Sequence, residues 1–467
     1  MIATRTRVLL STPIGESIRN VLRNDTWTVL RNREDIELIV AVPTIDQGFI
    51  EEFGGPRVTV VALPVRRPTR RTLGALAAYA AVLADRTRTM AVMIGGGGEP
   101  ARTAAGRLRP LVRIAATVVG VDRVRLALMW WVRRIGGPSG CEELFDRMQP
   151  DLVVVSRPFG FPSDHGVLVE AARRNLPALV LLSSWDNLSS KPFLPVWVRC
   201  LVVWNDELAH EATSLHGIPA ERVVVAGIPR YDGFFRREGL RNREDFCRAH
   251  GLDPARPFIT YCTGTREILR TPDGNTVEGT FVQDLRELIQ GPLARHRPQL
   301  LIRLHPQADL AHYTRFADCD GVVITAPGSH RGLLDRDLSI TDERTLGETM
   351  WHSAAVVNVA STTTIDAAVF DTPAVCIGYD PQPDVPFEHS VRRFYEFDHY
   401  RKLQARAGVR VAAGRNELGT LLDRYLVDPS ADSDVRRAIV AMQCGPADGM
   451  AGHRVAQAII RQMPRGA

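Results

Sequence analysis

Short β-branched runs recur along the chain at intervals that leave room for one helix between neighbours. They fall at residues 8–11, 36–42 and 58–63, and again at 151–155, 178–182, 200–204 and 222–226. A second series occupies 258–262, 299–304, 322–325, 356–359, 374–378 and 409–411. Most are apolar throughout rather than alternating, which suits strands covered on both faces. Strand, helix, strand at this spacing predicts parallel sheets with helices on each side. A chain of 467 residues exceeds what one core of this kind ordinarily holds, so two α/β domains are expected. The rhythm breaks at Gly227-Ile228-Pro229-Arg230-Tyr231-Asp232. That places a first Rossmann-like domain at 1–228, a linker at 229–255, a second domain at 256–443 and a closing helix within 444–467.

A second break separates residues 63 and 151. From Pro68 to Ile135 helix formers and aliphatics are mixed with arginine, and Gly95 to Gly98 read as a flexible turn. Residues 66–135 contain 14 Arg and three acids, a net charge of +11, while the rest of the chain sums to −6. The overall +5 is therefore local. Within 113–135, Trp130, Trp131 and a series of aliphatics alternate with Arg123, Arg125, Arg133 and Arg134. This basic helical insert has two readings: a buried helical unit with its arginines in water, or a helix lying in an anionic membrane interface. Aliphatics outnumber the cations, which fits lipid better than a nucleic-acid backbone, so no nucleic-acid partner is expected.

Seven scattered cysteines without a CxxC pair point to reduced thiols and a cytoplasmic setting. No apolar run is long enough to cross a bilayer, and the N-terminus has no signal-peptide pattern. No HExxH motif and no Cys/His cluster occurs, and no metal site and no cofactor are expected.

In open α/β sheets, ligands bind beyond the carboxyl ends of the strands, so the polar residues there are the candidates. Foremost is Val359-Ala360-Ser361-Thr362-Thr363-Thr364-Ile365-Asp366, where a strand runs through hydroxyls into a helix start. Ser361 or Thr362 can cap that helix, and its unpaired N–H groups favour an anion. Thr263-Gly264-Thr265 follow another strand, and Arg303, His305 and Pro306 close a third. A histidine at a strand end can donate to a phosphate or move a proton. In the first half, Thr12 to Gly15, Asp164 with His165, and Ser183 to Pro192 occupy equivalent places. The last stretch gathers Trp185, Asp186, Asn187 and Lys191, an aromatic platform, a carboxylate, an amide and a cation on one loop. Each has a plainer reading as a turn or cap. His389, His399 and Tyr400 are weaker candidates.

The strand, Ser-Thr, acidic helix, small-x-Pro, strand order around 356–378 resembles the donor motif of GT-B glycosyltransferases. The His-Pro pair at 305–306 with the Ser-Thr motif downstream is similar to bacterial sialyltransferases and CDP-glycerol glycerophosphotransferases. Ser-Trp-Asp-Asn loops like 184–187 resemble those of bacterial surface-polysaccharide glycosyltransferases. The resemblance implies two doubly wound domains facing across a cleft, with the closing helix crossing back to the first. It implies a nucleotide-sugar donor on the second domain, held by Thr263, Gly264, Thr265, Arg303, His305, Pro306 and Ser361 to Thr363. Asp366 stands where the family usually places a ribose-binding Glu. A saccharide or lipid-linked acceptor would lie on the first domain at Thr12, Gly15, Trp185, Asn187 and Lys191, with Asp186 or Asp164 as base and His305 assisting the leaving group. The expected activity is metal-independent sugar transfer in surface or capsular polysaccharide synthesis, at the inner face of the membrane if the acceptor is lipid-linked. Glycerophosphotransfer from CDP-glycerol, sugar 2-epimerisation and a non-catalytic nucleotide-binding assembly role are the alternatives.

Overall fold

The computed structural model describes residues 5–95, 103–158, 164–192, 196–264, 276–328 and 338–464. Its described residues form two compact units, one of 5–232 with 444–464 and one of 233–328 with 338–443.

The first unit is built on seven strands: β1 (Thr6–Ser11), β2 (Ile36–Val42), β3 (Val58–Ala62), β4 (Leu152–Val155), β5 (Ala178–Leu181), β6 (Cys200–Val203) and β7 (Val223–Val225). They run parallel in the order β3-β2-β1-β4-β5-β6-β7. Strands β4, β5 and β6 are buried along their whole length, which is why these runs are apolar without alternation. The second unit contains β8 (Phe258–Cys262), β9 (Gln299–Arg303), β10 (Val322–Thr325), β11 (Ala355–Asn358), β12 (Ala374–Ile377) and β13 (Arg410–Ala412). These are also parallel, in the order β10-β9-β8-β11-β12-β13. In each sheet the chain starts near the middle, builds outward on one side, then crosses to the other. The reversal falls between β1 and β4 in the first sheet and between β8 and β11 in the second. Helices on either side of that reversal lie on opposite faces, which opens a crevice at the strands' carboxyl ends.

Where one helix from Ser17 to Leu30 is the natural reading, there are two, Gly15–Val21 and Asp25–Arg31. Asn24 breaks them, because its side chain accepts the Thr26 N–H at 2.9 Å and starts a new helix. The insert forms four helices, Arg70–Ala84, Arg88–Gly95, Ala104–Val119 and Val121–Ile135. Tyr79, Leu83, Met90, Met129 and Val132 pack in a core of their own that reaches Val169. Gly95 ends a helix, and 96–98 of the glycine run lie outside the described residues.

The expected linker 229–255 needs correction. Pro229–Tyr231 and Asp232 belong to the first unit. The helix Arg243–His250, capped by Asn242, belongs to the second. Its Phe246 and Cys247 are fully buried against Phe258 and Leu301, so the stretch is core rather than connector. The last helix, Ala451–Arg461, packs on Asp25–Arg31 within the first unit. The Asp232 carboxylate accepts the Ala451 and Gly452 N–H groups at 3.0 and 2.7 Å and so caps that helix. A Cβ on Gly452 would lie 2.9 Å from the Thr26 nitrogen, so only glycine allows this close approach.

Candidate functional site

The crevice of the first sheet is already filled by the chain itself. Ser11 ends β1, and Ser156 follows β4. Between them the Asp164 carboxylate takes the Ser11 hydroxyl at 2.5 Å and the backbone N–H groups of Ser156 and Arg157 at 2.9 and 2.7 Å. Asp164 is 0% exposed. Burial outweighs its three donors and pushes its carboxyl up to about 7. Asp164 is therefore held inside the unit by the chain's own donors rather than offered to an acceptor as a base. Its neighbour His165 is driven down to about 4 by burial. Thr12 is also fully buried, with its hydroxyl donating to the Ala41 carbonyl at 3.2 Å. Gly15 is the buried first residue of its helix. Neither presents a group to an acceptor.

The loop after β5 is a self-bonded knot. Asp186 accepts the Ser184 hydroxyl at 2.5 Å on one oxygen and the Ser190 hydroxyl at 2.7 Å on the other. Asn187 is buried, and its amide oxygen takes the Ser183 hydroxyl and the Ser184 N–H. The aromatic platform expected of Trp185 is corrected too, since its ring is only 5% exposed. Asp186 and Lys191 keep partial exposure. The insert braces this loop. Thr87 donates to the Ser189 carbonyl at 3.0 Å. His216 Nε2 donates to the Leu188 carbonyl at 2.7 Å, so its Nδ1 accepts the Tyr79 hydroxyl at 2.9 Å.

The crevice of the second sheet has a different character. Thr263 and Gly264 follow β8. The Thr263 hydroxyl accepts the His305 N–H at 2.8 Å, which ties the ends of β8 and β9 together. Gly264 N–H donates to Glu278, a buried carboxylate that also takes the Tyr261 and Tyr313 hydroxyls. Burial raises the Glu278 carboxyl above its ordinary value. Thr265 lies outside the described residues. The Gln307 N–H donates to His305 Nδ1 at 3.1 Å, across the turn at Pro306. A nitrogen that accepts carries no proton, so neutral His305 holds its proton on Nε2 and acts there as a donor.

On the other side of the reversal, β11 ends in Asn358, whose amide oxygen accepts the Ser361 N–H at 3.1 Å and whose nitrogen donates to Thr364. Ala360 between them has φ of 43°, a left-handed conformation that a non-glycine residue adopts at a cost. The helix is Thr363–Val369, with Thr362 at its N-cap, but the Thr362 hydroxyl makes no capping bond. Ser361 does that work at longer range, accepting the Thr363 N–H at 3.3 Å. Among the described residues the Thr362 N–H and hydroxyl make no hydrogen bond. The Thr363 hydroxyl is buried with no nitrogen or oxygen partner among the described residues, and it lies beside the Cys262 thiol. Tyr400, fully buried, fixes the turn by donating to the Ser361 carbonyl at 2.7 Å. His389 is exposed, and His399 packs between Phe397 and Tyr400.

A described cation belongs to this crevice. Arg303, the last residue of β9, is 7% exposed. Among the described residues its guanidinium makes neither an ion pair nor a hydrogen bond. Burial pulls its pKa down, against the thiol of Cys262 and the more remote charges of Asp342 and Glu343. Cys262 lies beside Arg303 and Asp366, and burial pushes its thiol up to about 12, so it is neutral. Asp366 is 2% exposed. Its carboxylate hangs on a single methylene inside the unit, which corrects the expected ribose contact. Arg303 has a long stem that can reach the rim from the same depth. Glu278, Asn358 and Cys262 were missing from the sequence reading. Only Asn358, a polar residue ending an apolar strand, carried a visible signal.

Two parallel, doubly wound sheets of this order give the chain the two-domain α/β architecture of the GT-B fold. No protein-family model and no curated protein matches the sequence. Solved structures do match in fold. The UDP-GlcNAc 2-epimerase of Neisseria meningitidis bound to UDP-GlcNAc aligns at 10% identity over 98% of this chain and all of that one, with a TM-score of 0.57. A glycosyltransferase from Rickettsia africae aligns at 9% identity over 98% and 99% of the two chains, with a TM-score of 0.52. A variant of the wall teichoic acid polymerase TagF aligns at 11% identity over 98% and 89%, with a TM-score of 0.51. Among the described residues no group of three or more His, Cys, Asp or Glu could hold a metal, and no helix is long and apolar enough to cross a membrane.

Proposed function

We propose that the chain is a nucleotide-sugar-using enzyme, a glycosyltransferase whose donor diphosphate occupies the crevice between β8 and β11. The observation that carries this reading is Arg303, a buried cation that makes no ion pair or hydrogen bond among the described residues. Burying a charge without a partner costs several kcal/mol, and a diphosphate is the ligand that offsets it there. The Thr362 N–H and hydroxyl are further donors on the same rim. His305 Nε2–H adds a proton donor that can stabilise charge developing on the leaving nucleotide, so a metal is not required for that task. The acceptor is a saccharide, lipid-linked if the protein works at the inner face of the membrane, and a capsular or other surface polysaccharide is the product. The acceptor base is Asp186, which remains partly exposed. The likeness in fold to a glycosyltransferase and a teichoic acid polymerase supports transfer.

The UDP-GlcNAc 2-epimerases among the fold neighbours favour sugar 2-epimerisation as the second reading. Incubation with UDP-GlcNAc and other nucleotide sugars, followed by chromatography of the products, separates the two. Transfer, or slow hydrolysis that frees the nucleoside diphosphate, supports a transferase. Recovery of an epimeric nucleotide sugar with no free diphosphate sinks it in favour of the epimerase. Turnover of CDP-glycerol alone reassigns the site to glycerophosphotransfer.

A further inference from the structure

We infer that the helices Ala104–Val119 and Val121–Ile135 form a docking surface for a bilayer containing anionic lipid. The surface is argued from its own residues and does not rest on the reading of the nucleotide site. Of the sixteen residues in the first helix only Ala105 and Gly106 are buried. Leu111, Ile114 and Val118, spaced three and four apart, share one face and are 67%, 63% and 76% exposed. A helix this poorly packed is marginal in water, because helices in proteins owe most of their stability to a covered apolar face. Gly120, at φ of 91°, joins it directly to the second helix. There Arg125, Met129 and Val132 turn inward, while Leu126, Trp130 and Trp131 are 52%, 57% and 41% exposed. With Val119, seven large apolar side chains left in solvent on these two helices exceed the scattered exposure normal for a monomer's surface.

The charges identify what covers them. Residues 103–135 carry seven arginines and one acid, Asp122. Arg107 lies one turn before Leu111, while Arg123 and Arg134 bracket Leu126 and Trp130 at intervals of three and four residues, all of them exposed. Arginines at both ends of an apolar ridge can extend to lipid phosphates while the ridge sits among acyl chains, and tryptophan prefers that boundary. Between the helices lies an open hollow of about 850 Å³ lined by Arg86, Arg109, Arg113 and Arg123 together with Asp85 and Asp122. Arg109 is neutralised by Asp85 at 2.7 Å, so the hollow keeps an excess of positive charge suited to a phosphate headgroup. A second copy of this face would bring like charges together. A nucleic acid would set its polar backbone against the aliphatic ridge.

The test is co-sedimentation of the full chain with vesicles of phosphatidylcholine alone and with about one third phosphatidylglycerol. The expected result is binding to the anionic vesicles that weakens with added salt, and little to the neutral ones. Each exposed arginine removed, Arg113→Gln or Arg123→Gln, weakens binding about fivefold. The pair Val118→Glu and Trp130→Ser abolishes it. All four positions are exposed, so the fold persists in each variant, and circular dichroism checks this. A wild-type chain that stays in the supernatant with anionic vesicles at low salt overturns the inference, whatever the variants do. So does equal binding by wild type and the paired variant. Sedimentation velocity adds one more outcome: a dimer that Val118→Glu dissolves shows the face to be a contact between copies and overturns the lipid assignment.

Discussion

Replacing Arg303 with methionine separates a binding role from a structural one. Methionine keeps most of the stem's length and packing and removes only the charged head. If Arg303 had a protein partner, the change would strand a buried carboxylate and cost about 3–5 kcal/mol. The guanidinium makes no ion pair among the described residues, so the change strands no described carboxylate. What disappears is a desolvated cation, and the apo protein should be unchanged or more stable by about 1–3 kcal/mol. Binding moves the other way. Each charge-assisted hydrogen bond to a phosphate contributes about 1.5–3 kcal/mol, so losing one raises the Kd for UDP roughly 10- to 150-fold. The assay pairs urea unfolding of the apo chain with titration of thermal shift by UDP. Wild type at a hundredfold excess over Kd gains about 2.7 kcal/mol from the ligand, and Arg303→Met gains only about 0.3–1.4 kcal/mol at the same concentration. An apo variant weakened by several kcal/mol, or one that keeps the ligand shift, refutes the reasoning.

Asp164→Asn tests the filled crevice of the first sheet. Asparagine can accept both backbone N–H groups and donate to Ser11, so the fold holds. The wild-type carboxyl is raised from its ordinary range to about 7, so its stabilising contribution is full below about pH 4 and is lost as the pH rises through 7. The wild type should therefore gain on the variant as the pH falls from 7 to 5, by up to about 1.4 kcal/mol per unit. Equal slopes in urea unfolding at several pH values would contradict this, with His165 common to both proteins. Gly452→Ala pushes a methyl to within 2.9 Å of the Thr26 nitrogen, and should cost about 1–3 kcal/mol in denaturant unfolding. Tyr79→Phe removes the buried hydrogen bond to His216 Nδ1 and should cost about 0.5–1.5 kcal/mol, with faster hydrogen exchange in 186–190 because His216 holds the Leu188 carbonyl.

How much of this was legible beforehand depended on the range of the contacts involved. The strands were readable because burial on both faces leaves an apolar run in the sequence itself. The rim of the second crevice was readable as hydroxyls, Arg303 and His305 placed where such runs end. Asn24 shows a local signal given too little weight: an Asn-Asp pair that begins a new helix. Trp185 and Asp164 show the other limit. A tryptophan beside Asp and Asn looks the same whether it faces solvent or interior, and its burial is decided by packing that its neighbours in sequence do not encode. Asp164 takes two donors from the nearby Ser156 and Arg157 backbone, but its third comes from Ser11, 153 residues away, and its full burial is not written in its neighbours. The basic insert was visible as composition, yet the exposed line of Leu111, Ile114 and Val118 emerged only once the inward faces were known.

The most direct measurement is a crystal structure of the chain soaked with UDP. The account predicts the diphosphate at the carboxyl ends of β8 and β11, within hydrogen-bond distance of Arg303 and the Thr362 N–H, with His305 Nε2 facing a phosphate oxygen. A diphosphate seated at the β1 and β4 crevice in place of the Asp164 carboxylate, or Arg303 left unpaired with nucleotide bound elsewhere, would contradict it.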